Sequence, residues 1–141
     1  MIIGIGVDIT EVARIRAALE HPRTGARFRT RVFTANEIAY CTRRRNAHES
    51  FAARFAAKEA TMKAIGRALG WQEIEVTRGD GAPTIGLHGR AREYADALGI
   101  RRLHLSLSHT AELAIAYVVA EGNGEKTESG TPRRGRETPG T

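Results

Sequence analysis

The sequence predicts an α+β domain, with helices clustered between one early strand and several later antiparallel ones. Three observations predict it. Residues 2 to 9, IIGIGVDI, alternate Ile3, Ile5, Val7 and Ile9 with Gly4, Gly6 and Asp8, which is the period of a half-buried strand. Residues 48 to 69, including FAAKEATMKAIG at 55 to 66, form a long alanine-rich helical run. The second half carries short apolar runs divided by turn residues, the pattern of antiparallel strands.

Each element has its own signal. Thr10 suits the N-cap of a helix over residues 11 to 20, with Glu11 in its first turn. Residues 21 to 33 read as turn-rich and basic. Thr34 and Glu37 have capping-box spacing for a short helix ending near Thr42. Gly70 suits the C-terminal stop of the long helix. WQEIEVT (71 to 77) and residues 84 to 87 read as two strands joined by the turn RGDGAP, a hairpin. Residues 89 to 98 read as a helix with Ala91, Tyr94, Ala95 and Leu98 on one side. Residues 102 to 108 alternate Leu103, Leu105 and Leu107 with His104, Ser106 and Ser108, and pair with the apolar run 113 to 120. From Gly122 onward no apolar periodicity remains, so the expected organisation is a domain over 1–121 and a disordered tail over 122–141.

At 141 residues the chain suits one compact domain. The single Cys41 excludes an internal disulfide, and no leader or long apolar run is present, so a cytoplasmic location without membrane attachment is expected. The net charge of +6 is regional: residues 10 to 57 hold ten arginines, no lysine and four glutamates. A field of that sign attracts an acidic protein, a polyphosphate or nucleic acid, although arginine runs also serve as solvated surface.

GIGVD (4 to 8) superficially suggests a dinucleotide-binding turn. The third glycine of that fingerprint falls on Ile9, and the strand pattern runs through both glycines, so that reading is set aside. Gly4, Gly6 and Asp8 instead share one strand face, where the glycines permit close approach of a backbone or ligand and Asp8 offers a carboxylate. Asp8 as a helix cap is the plainer alternative. On the long helix, Phe51, Phe55, Met62, Ile65 and Leu69 form a stripe. Glu59 and Lys63 lie on its shoulder, facing a cleft opened by Ala52, Ala56 and Gly66. An exposed i, i+4 ion pair is worth only about 0.3–0.5 kcal/mol and leaves the flanking small residues unexplained. Two carboxylates with a lysine suit Mg²⁺ bound to phosphate. His109, in SLSHT (106 to 110), falls at a turn where it either reaches a cleft rim or is merely structural. Cys41 reads as a packed thiol. Lys58, within the apolar stripe, either runs its stem along the core with its ammonium in the site or makes a subunit contact.

Taken together, G-x-G-x-D-x-x-E-x-x-R-I (Gly4 to Ile15), R-F-A-A-K-E-A-x-x-K-A (Arg54 to Ala64), W-x-x-I-E-V (Trp71 to Val76), G-x-P (Gly81 to Pro83) and S-L-S-H (Ser106 to His109) resemble bacterial holo-acyl-carrier-protein synthase, the small phosphopantetheinyl transferase. The resemblance runs in order over residues 2 to 121. It implies the 4′-phosphopantetheinyl transferase fold, an antiparallel sheet packed with helices around one long central helix. The implied reaction moves 4′-phosphopantetheine from coenzyme A to a serine of apo acyl carrier protein, in fatty acid biosynthesis. The resemblance also implies Asp8 and Glu59 as Mg²⁺ ligands, with Lys63 at the pyrophosphate. Arg45, Arg54, Gly66, Pro83, His109 and Thr110 belong to the coenzyme A side, with Arg43 and Arg44 beside them. Arg14, Arg16, Arg23 and Arg27 meet the acidic carrier protein. The implied assembly is a homotrimer with sites shared between subunits. The family often has a longer glycine-rich loop where this chain has AIGRALG (64 to 70). The serine proton is expected to pass to a metal-held water or a site carboxylate in preference to His109. A non-catalytic nucleic-acid module explains the basic segment but leaves Asp8 and Glu59 idle and lacks an aromatic platform. A domain that binds carrier protein without transfer is the other rival.

Overall fold

The computed structural model describes residues 1–123. Strand β1 (Ile2–Glu11) leads into helices α1 (Val12–Glu20), α2 (Gly25–Val32), α3 (Ala35–Thr42) and the long α4 (Ala47–Ile65). A 3₁₀ turn (Trp71–Glu73), strands β2 (Ile74–Thr77) and β3 (Thr84–Leu87), helix α5 (Gly89–Ala97) and strands β4 (Ile100–His109) and β5 (Leu113–Gly122) follow. One antiparallel sheet has the order β1-β5-β4, and β2 and β3 pair as a separate hairpin. The fold is α+β, as the sequence predicts, and the expected tail falls almost wholly outside the described residues.

Glycine decides how the sheet meets α4. A Cβ on Gly4 would overlap the carbonyl oxygen of Ala64, and one on Gly6 would overlap that of Ala60. The strand therefore lies on the helix backbone, its glycine face inward. The half-buried pattern holds, but Ile5, Val7 and Ile9 are 52, 49 and 61% exposed. Ala52, Ala56 and Ala60 are wholly buried, so they serve close packing and do not open a cleft. Helix α4 stops at Gly66 and not at Gly70. Gly66 has φ +96°, the left-handed conformation that closes a helix, and its N–H returns to the Met62 carbonyl.

Other boundaries also differ from expectation. Thr10 is a strand residue whose hydroxyl donates to Asp8 Oδ2 at 2.8 Å, while Glu11 takes the N-cap position without a side-chain cap. The segment read as turns contains α2, whose GARFRTRV offers too few apolar positions to announce a helix. Trp71 opens a 3₁₀ turn, and its ring stacks on Phe55 at 5.1 Å. The capping box of α3 is present in full, Thr34 and Glu37 each binding the other's backbone N–H.

Glu37 has a second role, and it accounts for Lys58. Its Oε1 lies 2.9 Å from Lys58 Nζ, both side chains being fully buried, and its Oε2 accepts the Val76 N–H at 2.7 Å. Lys58 also donates to the carbonyls of Trp71 and Ile74. Neither a site ammonium nor a subunit contact describes it: Lys58 ties α4 to α3 and β2. Burial pushes its pKa down, and the Glu37 charge opposes that shift. Removing one partner strands the other charge in the core. Lys58→Met is expected to lose about 3–5 kcal/mol of stability in urea denaturation, whereas a loss below ~1 kcal/mol would contradict the role given to this pair.

Candidate active site

The site begins at the free edge of β1. Among the described residues β1 is bordered by β5 alone, and its other edge is open to side chains of α4. Lys63 Nζ donates to the Val7 carbonyl at 3.1 Å and lies 3.4 Å from Asp8 Oδ1. Asp8 Oδ2 is held by Thr10, so both carboxylate oxygens have fixed directions. Lys63 is half-exposed, while the Asp8 side chain retains 16% exposure. Glu59 stands one helical turn before Lys63 on the same side of α4, with Cβ separation of about 5–6 Å expected for that spacing. Gly4 meets Ala64 and Gly6 meets Ala60; continuing that register brings Asp8 about one turn further, level with Ala56. Glu59 is half-buried, and among the described residues its carboxylate has no hydrogen-bond or ion-pair partner.

Asp8 and Lys63 are thereby paired at one edge, with Glu59 one turn from Lys63 on α4. Among the described residues no group of three or more His, Cys, Asp or Glu side chains is placed to hold a metal. Two oxygen donors beside an ammonium fit a hard cation that keeps water and phosphate oxygens in its shell, as Mg²⁺ does, better than Ca²⁺ with its larger protein ligand set. Asp8 does not cap α1; its bond to Thr10 lies within the strand.

A second group lies elsewhere. Arg54 is 5% exposed, its guanidinium carbon sits 4.3 Å from the Tyr40 ring centre, and its Nε is buried without a hydrogen-bond partner. Among the described residues no carboxylate pairs with it. Arg44 approaches the same ring from solvent, at 5.2 Å. Arg43 and Arg45 are exposed in the turn before α4. His109 ends β4 and pairs across the sheet with Ala114, which in turn faces Thr10 of β1. Its Nδ1 lies 2.9 Å from Glu49 Oε1 in the first turn of α4. Thr110 Oγ1 accepts the N–H groups of Glu112 and Leu113, so it holds the β4–β5 turn.

His109 and the Asp8 edge are separated by the width of the sheet, roughly 10 Å over two strand spacings. Asp8 and His109 therefore stand on opposite edges of the sheet, whereas Arg54 lies against Tyr40 of α3. Pro83 precedes β3 and Gly66 caps α4. Arg14, Arg16, Arg23 and Arg27 are exposed along α1, α2 and the turn between them. Sequence reasoning missed Glu49, whose signal is its spacing of three from Asn46, and missed the orphaned state of Arg54, which has no sequence signal.

The model of the 4′-phosphopantetheinyl transferase superfamily matches residues 4–118. A holo-[acyl-carrier-protein] synthase of Anaeromyxobacter sp. (strain K) is 48% identical over 127 residues, covering 88% of this chain and 99% of its own. That of Koribacter versatilis (strain Ellin345) is 50% identical over 126 residues, covering 86% and 99%. A crystal structure of a holo-(acyl-carrier-protein) synthase from Bacillus anthracis, in complex with CoA (3′,5′-ADP), superposes with a TM-score of 0.69 at 35% identity, covering 87% of this chain and 99% of that one.

Cys41 has no part in either set of residues. Burial pushes its thiol up to about 12, against smaller opposing effects of Arg54 and Arg44. The reactive thiolate is therefore scarce at neutral pH. Iodoacetamide at pH 8 is expected to leave the native protein unmodified for hours and to alkylate it fully in denaturant; rapid labelling of the native protein would contradict this packing.

Proposed function

We propose that this chain, which belongs to the 4′-phosphopantetheinyl transferase superfamily, is a holo-acyl-carrier-protein synthase. It transfers the 4′-phosphopantetheine of coenzyme A to a serine hydroxyl of apo acyl carrier protein, in fatty acid biosynthesis, and releases adenosine 3′,5′-bisphosphate. The observation that carries this reading is the Asp8–Lys63 pair on the β1 edge, with the unpartnered Glu59 one turn away.

In the reaction the serine Oγ bonds to the β-phosphorus of coenzyme A, the bond from that phosphorus to the bridging oxygen breaks, adenosine 3′,5′-bisphosphate leaves with that oxygen, and the serine proton passes to water or a site carboxylate. Lys63 is anchored by the Val7 carbonyl and Asp8, so its ammonium is already oriented when charge gathers on the leaving phosphate. Asp8 and Glu59 would hold Mg²⁺, which supplies charge neutralisation on the pyrophosphate. Arg54 is a buried cation without a carboxylate among the described residues, and a phosphate of coenzyme A would supply the anion. The exposed arginines 14, 16, 23 and 27 offer an acidic carrier protein a complementary surface.

A homotrimer belongs to the same reading, and two observations support it. The outward rows Ile5/Val119, Val7/Tyr117 and Ile9/Ile115 make an apolar sheet face that no element among the described residues covers. Asp8 and His109 also stand on opposite edges of that sheet, and a closed ring brings the β1 edge of one copy beside the β4 edge of the next. The cytoplasmic location is proposed on the same terms as before, from a lone unpaired cysteine. Among the described residues no helix is long and apolar enough to cross a membrane.

Incubation with apo carrier protein, coenzyme A and Mg²⁺ is expected to add the phosphopantetheine mass to the carrier. Asp8→Ala and Glu59→Ala are expected to stay folded and lose about 10²-fold or more of the rate. Near-normal turnover by either removes the metal assignment, and no mass gain by the wild type removes the enzyme reading. Ile115→Asp, on the uncovered face, is expected to reduce the light-scattering mass to that of one chain; an unchanged assembly would exclude this face as the interface.

A further inference from the structure

Two glutamates stand at the third position of their helices, each three residues after an N-cap. Glu37 uses that position in the usual way, reaching back to the Thr34 N–H. Glu49 follows Asn46 at the same spacing, yet Asn46 makes no side-chain cap and Glu49 makes no capping bond. Its carboxylate is turned to His109 Nδ1 instead, at 2.9 Å. A residue suited to close its own helix is thus committed to a side chain 60 positions away in sequence. His109 is steadied from the other side as well, because Thr110 Oγ1 and the Thr110 N–H close the β4–β5 turn beside it.

We propose that Glu49 is the positioning residue for His109. A carboxylate oxygen only accepts, so the proton of a neutral imidazole must sit on Nδ1, and the ring plane is set by that bond. Nε2 is then the nitrogen left for a ligand. The assignment rests on the reading of His109 as a contact to the nucleotide half of coenzyme A. Within that reading, Glu49 fixes the tautomer and direction of the ring before the nucleotide arrives, so no orientation is lost on binding. Glu49 belongs to coenzyme A recognition without touching coenzyme A.

The test uses Glu49→Gln and His109→Ala in the full chain. Glutamine keeps the shape, but its amide accepts or donates, so the tautomer is no longer dictated. In the wild type, ¹⁵N NMR of His109 is expected to show the Nδ1–H form when the ring is neutral, and Glu49→Gln is expected to show the Nε2–H form appearing. Glu49→Gln is also expected to weaken binding of adenosine 3′,5′-bisphosphate about ten-fold by calorimetry, as loss of a charge-assisted hydrogen bond does. KM for coenzyme A should rise with it, while KM for the carrier protein and the melting temperature stay unchanged. If His109→Ala weakens bisphosphate binding and Glu49→Gln alters neither tautomer nor affinity, the proposal is overturned and the nucleotide reading stands. If His109→Ala leaves bisphosphate affinity unchanged, the nucleotide reading of His109 fails and the role of Glu49 fails with it.

Discussion

The seating of β1 on the backbone of α4 is the constraint from which the rest of the architecture follows. Strands usually turn their branched side chains toward a helix, and the helix axis then stands off by the depth of those side chains. Here Gly4 and Gly6 remove that layer, and the carbonyls of Ala60 and Ala64 meet the strand directly. Two consequences follow at once. Ile5, Val7 and Ile9 have no side to occupy except the outer one. Asp8, next on the glycine face, is carried close enough to α4 for Lys63 to bond both its carboxylate and the carbonyl of Val7. The placement of Asp8 against Lys63 and the outward turn of the apolar face are therefore two results of one packing choice.

The opposite side of α4 separates two cations that look alike in sequence. Arg54 and Lys58 stand four residues apart, and both are buried. Lys58 has a carboxylate and two carbonyls around it, so its charge is answered within the chain. Arg54 has the Tyr40 ring against its plane and no carboxylate among the described residues, with Nε unsatisfied. A buried charge left in that condition is costly unless an anion arrives. Among the described residues Arg54 is the buried cation left in that condition, and the proposed function gives it a phosphate of coenzyme A as its anion.

How much of this was legible depended on whether a feature is local. The capping box of Thr34 and Glu37 was legible because both partners lie within four residues, and α5 and the β2–β3 hairpin were legible from periodicity and turn residues. Helix α2 was not, since GARFRTRV carries only Val32 and a half-buried Phe28 as apolar anchors and draws its order from packing on α1. The end of α4 was misplaced because two glycines, Gly66 and Gly70, both suit a stop, and only the backbone shows which takes positive φ. For the site, Asp8, Glu59 and Lys63 stood out as charges among small residues. The reason those residues are small was misjudged: Ala52 and Ala56 are wholly buried in the packing around α4 and line no cleft. The partners of Lys58 and His109 lie 21 and 60 residues away in sequence, and no local pattern signals contacts of that range.

If the site is shared between the sheet edges of neighbouring copies, as proposed, that sharing bears on why the apolar face is retained. A monomer of this fold could cover Ile5, Val7, Ile9, Ile115 and Tyr117 only by mutating them to polar residues or by adding an element. Neither change would touch Asp8 or Lys63, so catalysis within one chain places no demand on that face. The demand arises if the β1 edge and the β4 edge must meet across a subunit boundary. In that arrangement the free energy of burying the outer rows contributes to assembly of the site, and folding, association and substrate binding become linked equilibria. Selection on activity then acts on residues that touch neither coenzyme A nor the carrier protein. An exposed apolar strand face, ordinarily a liability toward aggregation, is stable in evolution when closure of a ring removes it from water and completes the catalytic residues in the same step.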